Sequence, residues 1–206
     1  MRVFIAVLVL IFSLQSWVKA DDIRDFKIEG MSIGDSLLDY FSKKEIDNNN
    51  LDLNLDRKFQ RILILNRKNI LSEKYESIKA DLQTYDGMHI FIKAKDNNYI
   101  IYGIEGMLDF EKNISDCRIK QNDILNEVSG LFKDIKKKSD SFPHSKDKTG
   151  KSIVYRDVIM INPNAKYYEL EIACYDWSEK LKAIDHFRIS IITDQVNEMY
   201  NKIYNN

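Results

Sequence analysis

The sequence lacks a complete catalytic or cofactor motif, and each partial match fails at a named position. No G-x-S-x-G nucleophile elbow is present. Asp147-Lys148-Thr149-Gly150-Lys151-Ser152 ends like a phosphate-binding loop, but Ser145 stands where that loop needs its first glycine. Asp52-Leu53-Asn54-Leu55-Asp56 resembles the opening of a calcium loop, yet Arg57 and Leu63 replace the glycine and the terminal acid that the loop requires. The 3 histidines, His89, His144 and His186, are too dispersed for metal-ligand spacing, so no metal or other cofactor is expected. His89 and His186 fall on the polar faces of expected strands and read as surface residues. A basic surplus is missing too. The formal net charge is −1, which argues against a nucleic-acid partner. Glycine (7) and proline (2) are scarce while Lys, Ile and Asn are abundant. Those abundant residues have A/T-rich codons, so the composition points to a bacterium with an A/T-rich genome.

No apolar run reaches the roughly twenty residues of a membrane span. The longest, Val3 to Phe12, follows Arg2 and precedes a more polar stretch ending at Ala20. A positive start, a short apolar core and a small exit residue form a secretory signal peptide. Cleavage after Ala20 removes Arg2 and Lys19, and the remaining chain carries 29 − 32 = −3 charges. No cysteine follows Ala20, so no stable membrane anchor is expected after cleavage. The expected protein is periplasmic or secreted, with 1–20 as leader and 21–206 as one α+β domain, divisible into subdomains at 21–112 and 113–206.

The two cysteines, Cys117 and Cys174, both lie in the exported part. In an oxidising compartment such a pair is most simply a disulfide; two buried free thiols are the other reading.

Hydrophobic periodicity supplies the elements. Asp35 or Ser36 caps a helix with Leu37, Leu38 and Phe41 on its apolar side, and Ser42 to Glu45 forms a capping box. Asp47 to Asp56 reads as a loop. Gln60 to Leu65 is a strand apolar on both faces. Leu71, Tyr75, Ile78 and Leu82 recur at helical spacing. Met88 to Lys93 and Tyr99 to Ile104 form a hairpin, with Gly103 and Gly106 marking a bulge or bend. Ser115 caps a long helix from Asp116 to Ile135, with Cys117, Ile124, Val128, Leu131 and Ile135 as its stripe and Lys136 to Lys138 at its end. Ser139 to Lys151 reads as a mobile loop. Ile153–Ile161, Tyr168–Trp177 and His186–Ile192 form an antiparallel meander, and a final helix carries Val196, Met199, Tyr200 and Ile203. The expected fold is therefore antiparallel sheet, an N-terminal hairpin region plus the meander, packed with a long central helix and a C-terminal helix.

Period-two alternation puts Tyr175 and Trp177 opposite Cys174, with Asp176 between them and Asp185-His186 entering the next strand nearby. Rings beside a carboxylate and an imidazole suit a shallow binding site. Tyr175, Asp176, Trp177 and His186 are therefore the binding candidates. The competing reading is that these rings merely cover the second face of the sheet.

The segments DDIRDFKIEGMSIGDSLLDYF, NYIIYGIEG and CYDWSEK…DHFRISI resemble exported proteins of marine alphaproteobacteria of the Pelagibacter type. The likeness runs over nearly all of the mature chain and includes both cysteines. It implies export and a shared fold without an assigned reaction. Ile28, Gly30, Ser32, Gly34 and Ser36 are also similar to the entry of small envelope modules of the SmpA and beta-lactamase-inhibitor type, which implies a helix-plus-sheet module used for protein contacts. Two readings of function follow. The first is a non-catalytic binding or interaction module whose partner is an envelope protein or a small ligand. The second is a small periplasmic hydrolase using Asp176, Asp185 and His186.

Overall fold

The computed structural model describes residues 26–51, 58–68, 75–132, 135–160 and 168–204. The leader and the calcium-loop-like Asp52–Asp56 segment lie outside these residues. The fold is α+β. Nine strands form one sheet: β1 (Asn50–Leu51), β2 (Phe59–Asn66), β3 (Ile78–Ala80), β4 (Gly87–Lys93), β5 (Ile101–Asp109), β6 (Lys136–Pro143), β7 (Ile153–Met160), β8 (Tyr168–Asp176) and β9 (His186–Thr193). The order is β1-β2-β4-β5-β9-β8-β7-β6, with β3 paired parallel to β2 and every other pairing antiparallel. The hairpin and the meander thus share a single sheet, joined where β5 pairs with β9.

Among the described residues three α-helices accompany it: α1 (Lys43–Asn48), α2 (Ile114–Leu131) and α3 (Asp194–Tyr204). The Ser42–Glu45 capping box starts α1. Asn113 rather than Ser115 caps α2, accepting from the Asp116 N–H. This helix lies across β8 and β9. Its buried positions are Cys117, Gln121, Leu125 and Val128, a row at i+4, i+4 and i+3. The expected stripe included Ile124 and Leu131, but Ile124 is half-buried and Leu131 exposed. Polar Gln121 belongs to the row because its amide is fully used. It donates to the carbonyls of Tyr155 and Ile172 and to the Asp157 carboxylate, and it accepts from Arg118. Cys117 and Cys174 are bonded as a disulfide, with Cα atoms 6.0 Å apart and both residues wholly buried.

Three sequence expectations are corrected. The helical spacing across Leu71, Tyr75, Ile78 and Leu82 does not make a helix at its C-terminal end. Ile78 begins β3, whose pairing with Ile64–Asn66 outweighs a weak local preference. Lys136 to Lys138 do not end α2 but open β6, and Ser139–Pro143 continue it, so the first five residues of the expected mobile loop are edge strand. The rest is a built turn. The Asp147 carboxylate accepts from the backbone N–H and hydroxyl of both Thr149 and Ser152, an Asx-type arrangement that fixes a short loop from within. These four bonds hold Asp147 well below the usual carboxylate range.

The expected bulge or bend ahead of Met107 is absent, since β5 pairs regularly from Gly103 to Met107; the one register shift skips Tyr102, between the pairs Phe91–Gly103 and Ile92–Ile101. Gly106 does something else. A Cβ there would sit 2.9 Å from the Tyr85 ring, so the missing side chain makes room for that ring.

The two sheet faces differ. One packs Ile62, Ile64, Ile90, Ile104, Ile172 and Ile189 with α2 and the segment around Ile28, Met31 and Leu37 in the main core. The other is covered only in part. There α3 sets Val196 and Met199 on Phe59 and Phe91, which is why Phe91 is buried although alternation had put it on a polar face.

Candidate binding surface

Toward the β6 edge, the second face carries rings and charges in cross-strand rows. Tyr175 on β8 lies directly opposite Val154 on β7 and His186 on β9. The Tyr175 and His186 rings stack with centroids 4.5 Å apart and planes 8° from parallel. Trp177, one residue past the end of β8, lies 6.0 Å from Tyr175 and 4.5 Å from His144. His144 enters from the end of β6 and joins the cluster through the Asp147 turn: its N–H donates to the Ser152 carbonyl, while the Ser152 hydroxyl accepts from the Ser178 N–H. Tyr175, Trp177 and His186 are thus gathered in space, with His144 as a fourth ring. Asp176 lines an adjoining shallow cleft of about 400 Å³ with Thr149, Lys151, Trp177 and Glu179.

Asp185 is a positioning residue. Its Oδ1 accepts from the Trp177 N–H at 2.7 Å, and its own backbone is tied to Phe110 and Glu111. Burial raises its carboxyl above the ordinary value. Burial also pushes His186 down to about 4, so the ring is neutral near pH 7. Its Nδ1 lies 3.1 Å from the Ile184 carbonyl and 3.2 Å from the Trp177 indole nitrogen. One nitrogen serves only one of these at a time: it donates to Ile184 in one tautomer and accepts from Trp177 in the other. Among the described residues, no hydrogen bond joins His186 to Asp176 or Asp185. An acid–base chain through these residues therefore has no link between base and carboxylate.

A larger polar network on the same face is not anticipated from the sequence. His89 on β4, Glu105 on β5, Ser190 on β9 and Glu171 on β8 form one cross-strand row. His89 is half-buried with Glu105 as partner and is not a surface residue, because α3 and its neighbours cover this end of the face. Glu105, 2% exposed, lies 3.1 Å from His89 Nδ1 and accepts from the Tyr200 hydroxyl at 3.2 Å. Burial alone would raise its carboxyl. The positive charges of Arg188 and Arg61 and the His89 hydrogen bond oppose that and bring it down to about 2. Burial holds His89 below its ordinary value, so a neutral imidazole donates to a carboxylate.

The next row continues toward the edge. Arg188 donates to Glu171 at 2.7 Å, and Glu171 also pairs with Arg156 at 3.6 Å. Arg156 grips Asp140 in a bidentate fork at 2.9 and 2.8 Å. Each guanidinium also stacks on a ring, Arg188 on Tyr175 and Arg156 on Phe142, both at 4.8 Å. The sequence signal for this network is faint: polar residues at alternate positions within apolar strands, as in His186, Arg188 and Ser190. Among the described residues, no set of three or more His, Cys, Asp or Glu side chains could hold a metal ion. No helix there is long and apolar enough to cross a membrane.

Comparison with protein-family models, with curated proteins and with solved structures found no match.

Proposed function

We propose that the chain is an exported, non-catalytic binding or protein-interaction module, and that the aromatic end of the second sheet face is its contact surface. One observation carries the reading: the Tyr175, Trp177 and His186 rings are stacked, with the His144 ring tilted against them, beside a cleft and tied in place by hydrogen bonds to Asp147 and Asp185. Rigid aromatic groups supply contact area at low entropic cost, which is why such side chains dominate binding hot spots. Export rests on the leader-like first twenty residues together with the disulfide, which needs an oxidising compartment. The hydrolase reading gains no support from the geometry, since the carboxylate beside His186 is spent on the Trp177 N–H.

The test compares wild-type chain with Trp177→Ala, each cross-linked and recovered from the envelope of the organism that makes it. The expected result is a discrete partner recovered with the wild type and reduced about tenfold or more with the variant, the size of a hot-spot loss. Equal recovery by both would refute the assignment of the surface.

A further inference from the structure

The two edges of the sheet are unequal. At one, β1 and β3 are only two and three residues long. At the other, β6 runs eight residues, pairs with β7 from Lys136 to Pro143, and has no strand on its outer side among the described residues. An uninterrupted edge of this length is a ready template for another strand. Its side chains decide which one. On the second face they are Lys136, Lys138, Asp140 and Phe142; on the α2 face, Lys137, Ser139 and Ser141.

We propose that β6 pairs antiparallel with β6 of a second copy, about a two-fold axis through Ser139, to continue the sheet across a symmetric dimer. A two-fold axis normal to the sheet keeps like faces together, so paired residues must share a face. Few registers remain. An axis at Lys137, Lys138 or Asp140 sets like charges opposite one another. An axis at Ser141 leaves Lys136, Lys137 and Lys138 unpaired and brings Pro143, which has no N–H, into the ladder. The Ser139 axis alone pairs 136 to 142 without a like-charge contact. It sets Lys138 opposite Asp140 twice, Lys136 opposite Phe142 twice, and Lys137 opposite Ser141 twice. Asp140 holds the Arg156 fork with both oxygens, and its remaining lone pairs take the lysine. Lys138 is 68% exposed and already 3.2 Å from its own Asp140, and Phe142 is 38% exposed with Arg156 on one side of its ring. The lysines that would repel a foreign basic or misregistered strand thus become partners of the correct one. Each copy's His144 lies five residues from the axis, so the dimer carries its two aromatic clusters on one face, about 35 Å apart along the strands.

The experiment mixes ¹⁴N- and ¹⁵N-labelled chain 21–206, activates carboxyls with a zero-length carbodiimide, and identifies cross-links by mass. Mixed-isotope Lys138–Asp140 links are expected, together with a doubled mass in sedimentation equilibrium. Lys138→Glu, with unchanged circular dichroism, should weaken the dimer by about tenfold or more. If that variant misfolds, Ser141→Lys, at an exposed position, serves the same purpose by setting a lysine opposite Lys137 twice. A chain that remains monomeric at all accessible concentrations overturns the proposal, as it would if a different protein's strand were the occupant. So does a dimer with only same-isotope links at these residues or one indifferent to both substitutions.

Discussion

The Arg188 guanidinium lies 4.8 Å from the centre of the Tyr175 ring while its Nη2 donates to Glu171. That one side chain joins the aromatic cluster to the ion-pair ladder and links β8 with β9. Its guanidinium packs on Tyr175, whose ring also stacks on His186 and Trp177. The proposed contact surface thus has Tyr175 and His186 on strands, with Trp177 and His144 added just past strand ends.

The disulfide should be measurable as stability. Closing a 57-residue separation is worth about 4 kcal/mol by loop-closure entropy. Non-reducing mass spectrometry should find no free thiol. Cys174→Ala should lower the unfolding free energy in urea by up to that amount. An unchanged midpoint would show that the bond constrains nothing.

Two glycines predict opposite signs. Gly106→Ala forces a methyl group to 2.9 Å from the Tyr85 ring and should destabilise by about 1–3 kcal/mol. Gly130→Ala on α2 meets nothing within 4 Å and should stabilise by up to about 1 kcal/mol, because alanine favours helix. Thermal melts of the two variants check both.

Acid should unfold the protein in two ranges. His186 has a folded value near 4 against an ordinary 6.5, so the unfolded chain takes up its proton first. Stability is lost as pH falls from about 6.5 to about 4. His89 and His144 are also lowered, burial being the largest cause for each, and act with the same sign. Glu105, near 2 against 4.5, stabilises above the ordinary carboxylate value and loses that contribution between about 4.5 and 2. The loss is at most about 3 kcal/mol. Urea titrations across pH should show both ranges. His186→Phe should flatten the upper one and Glu105→Gln the lower. The imidazole resonance of His186 should titrate near 4 by NMR; a midpoint near 6.5 would contradict its burial.

Strong local chemistry was legible in the sequence. The Ser42–Glu45 box, the meander, the cysteine pair and the Tyr175–Trp177–His186 neighbourhood follow from periods and caps spanning a few residues. Long-range placement was not. Gln121 reads as a polar interruption of an apolar stripe until Asp157 and two carbonyls arrive from other strands to use its amide. Lys136 to Lys138 suit a helix end or an edge strand equally well, and only pairing with β7 decides. Glu105 and His89 look like solvent-facing residues of alternating strands because nothing local says that α3 will cover them. His144 lies more than thirty residues from Tyr175, so its place in the ring cluster depended on a turn organised by Asp147.

The most direct test of the contact surface is a photo-reactive phenylalanine analogue placed in the exported chain at two positions in turn. Lys151, exposed, lines the cleft beside Trp177, and Ile119, 60% exposed, lies on the outward side of α2. Irradiation in the native envelope should give a discrete adduct from position 151 and none from position 119. Equal yields, or an adduct from position 119 alone, would contradict the account.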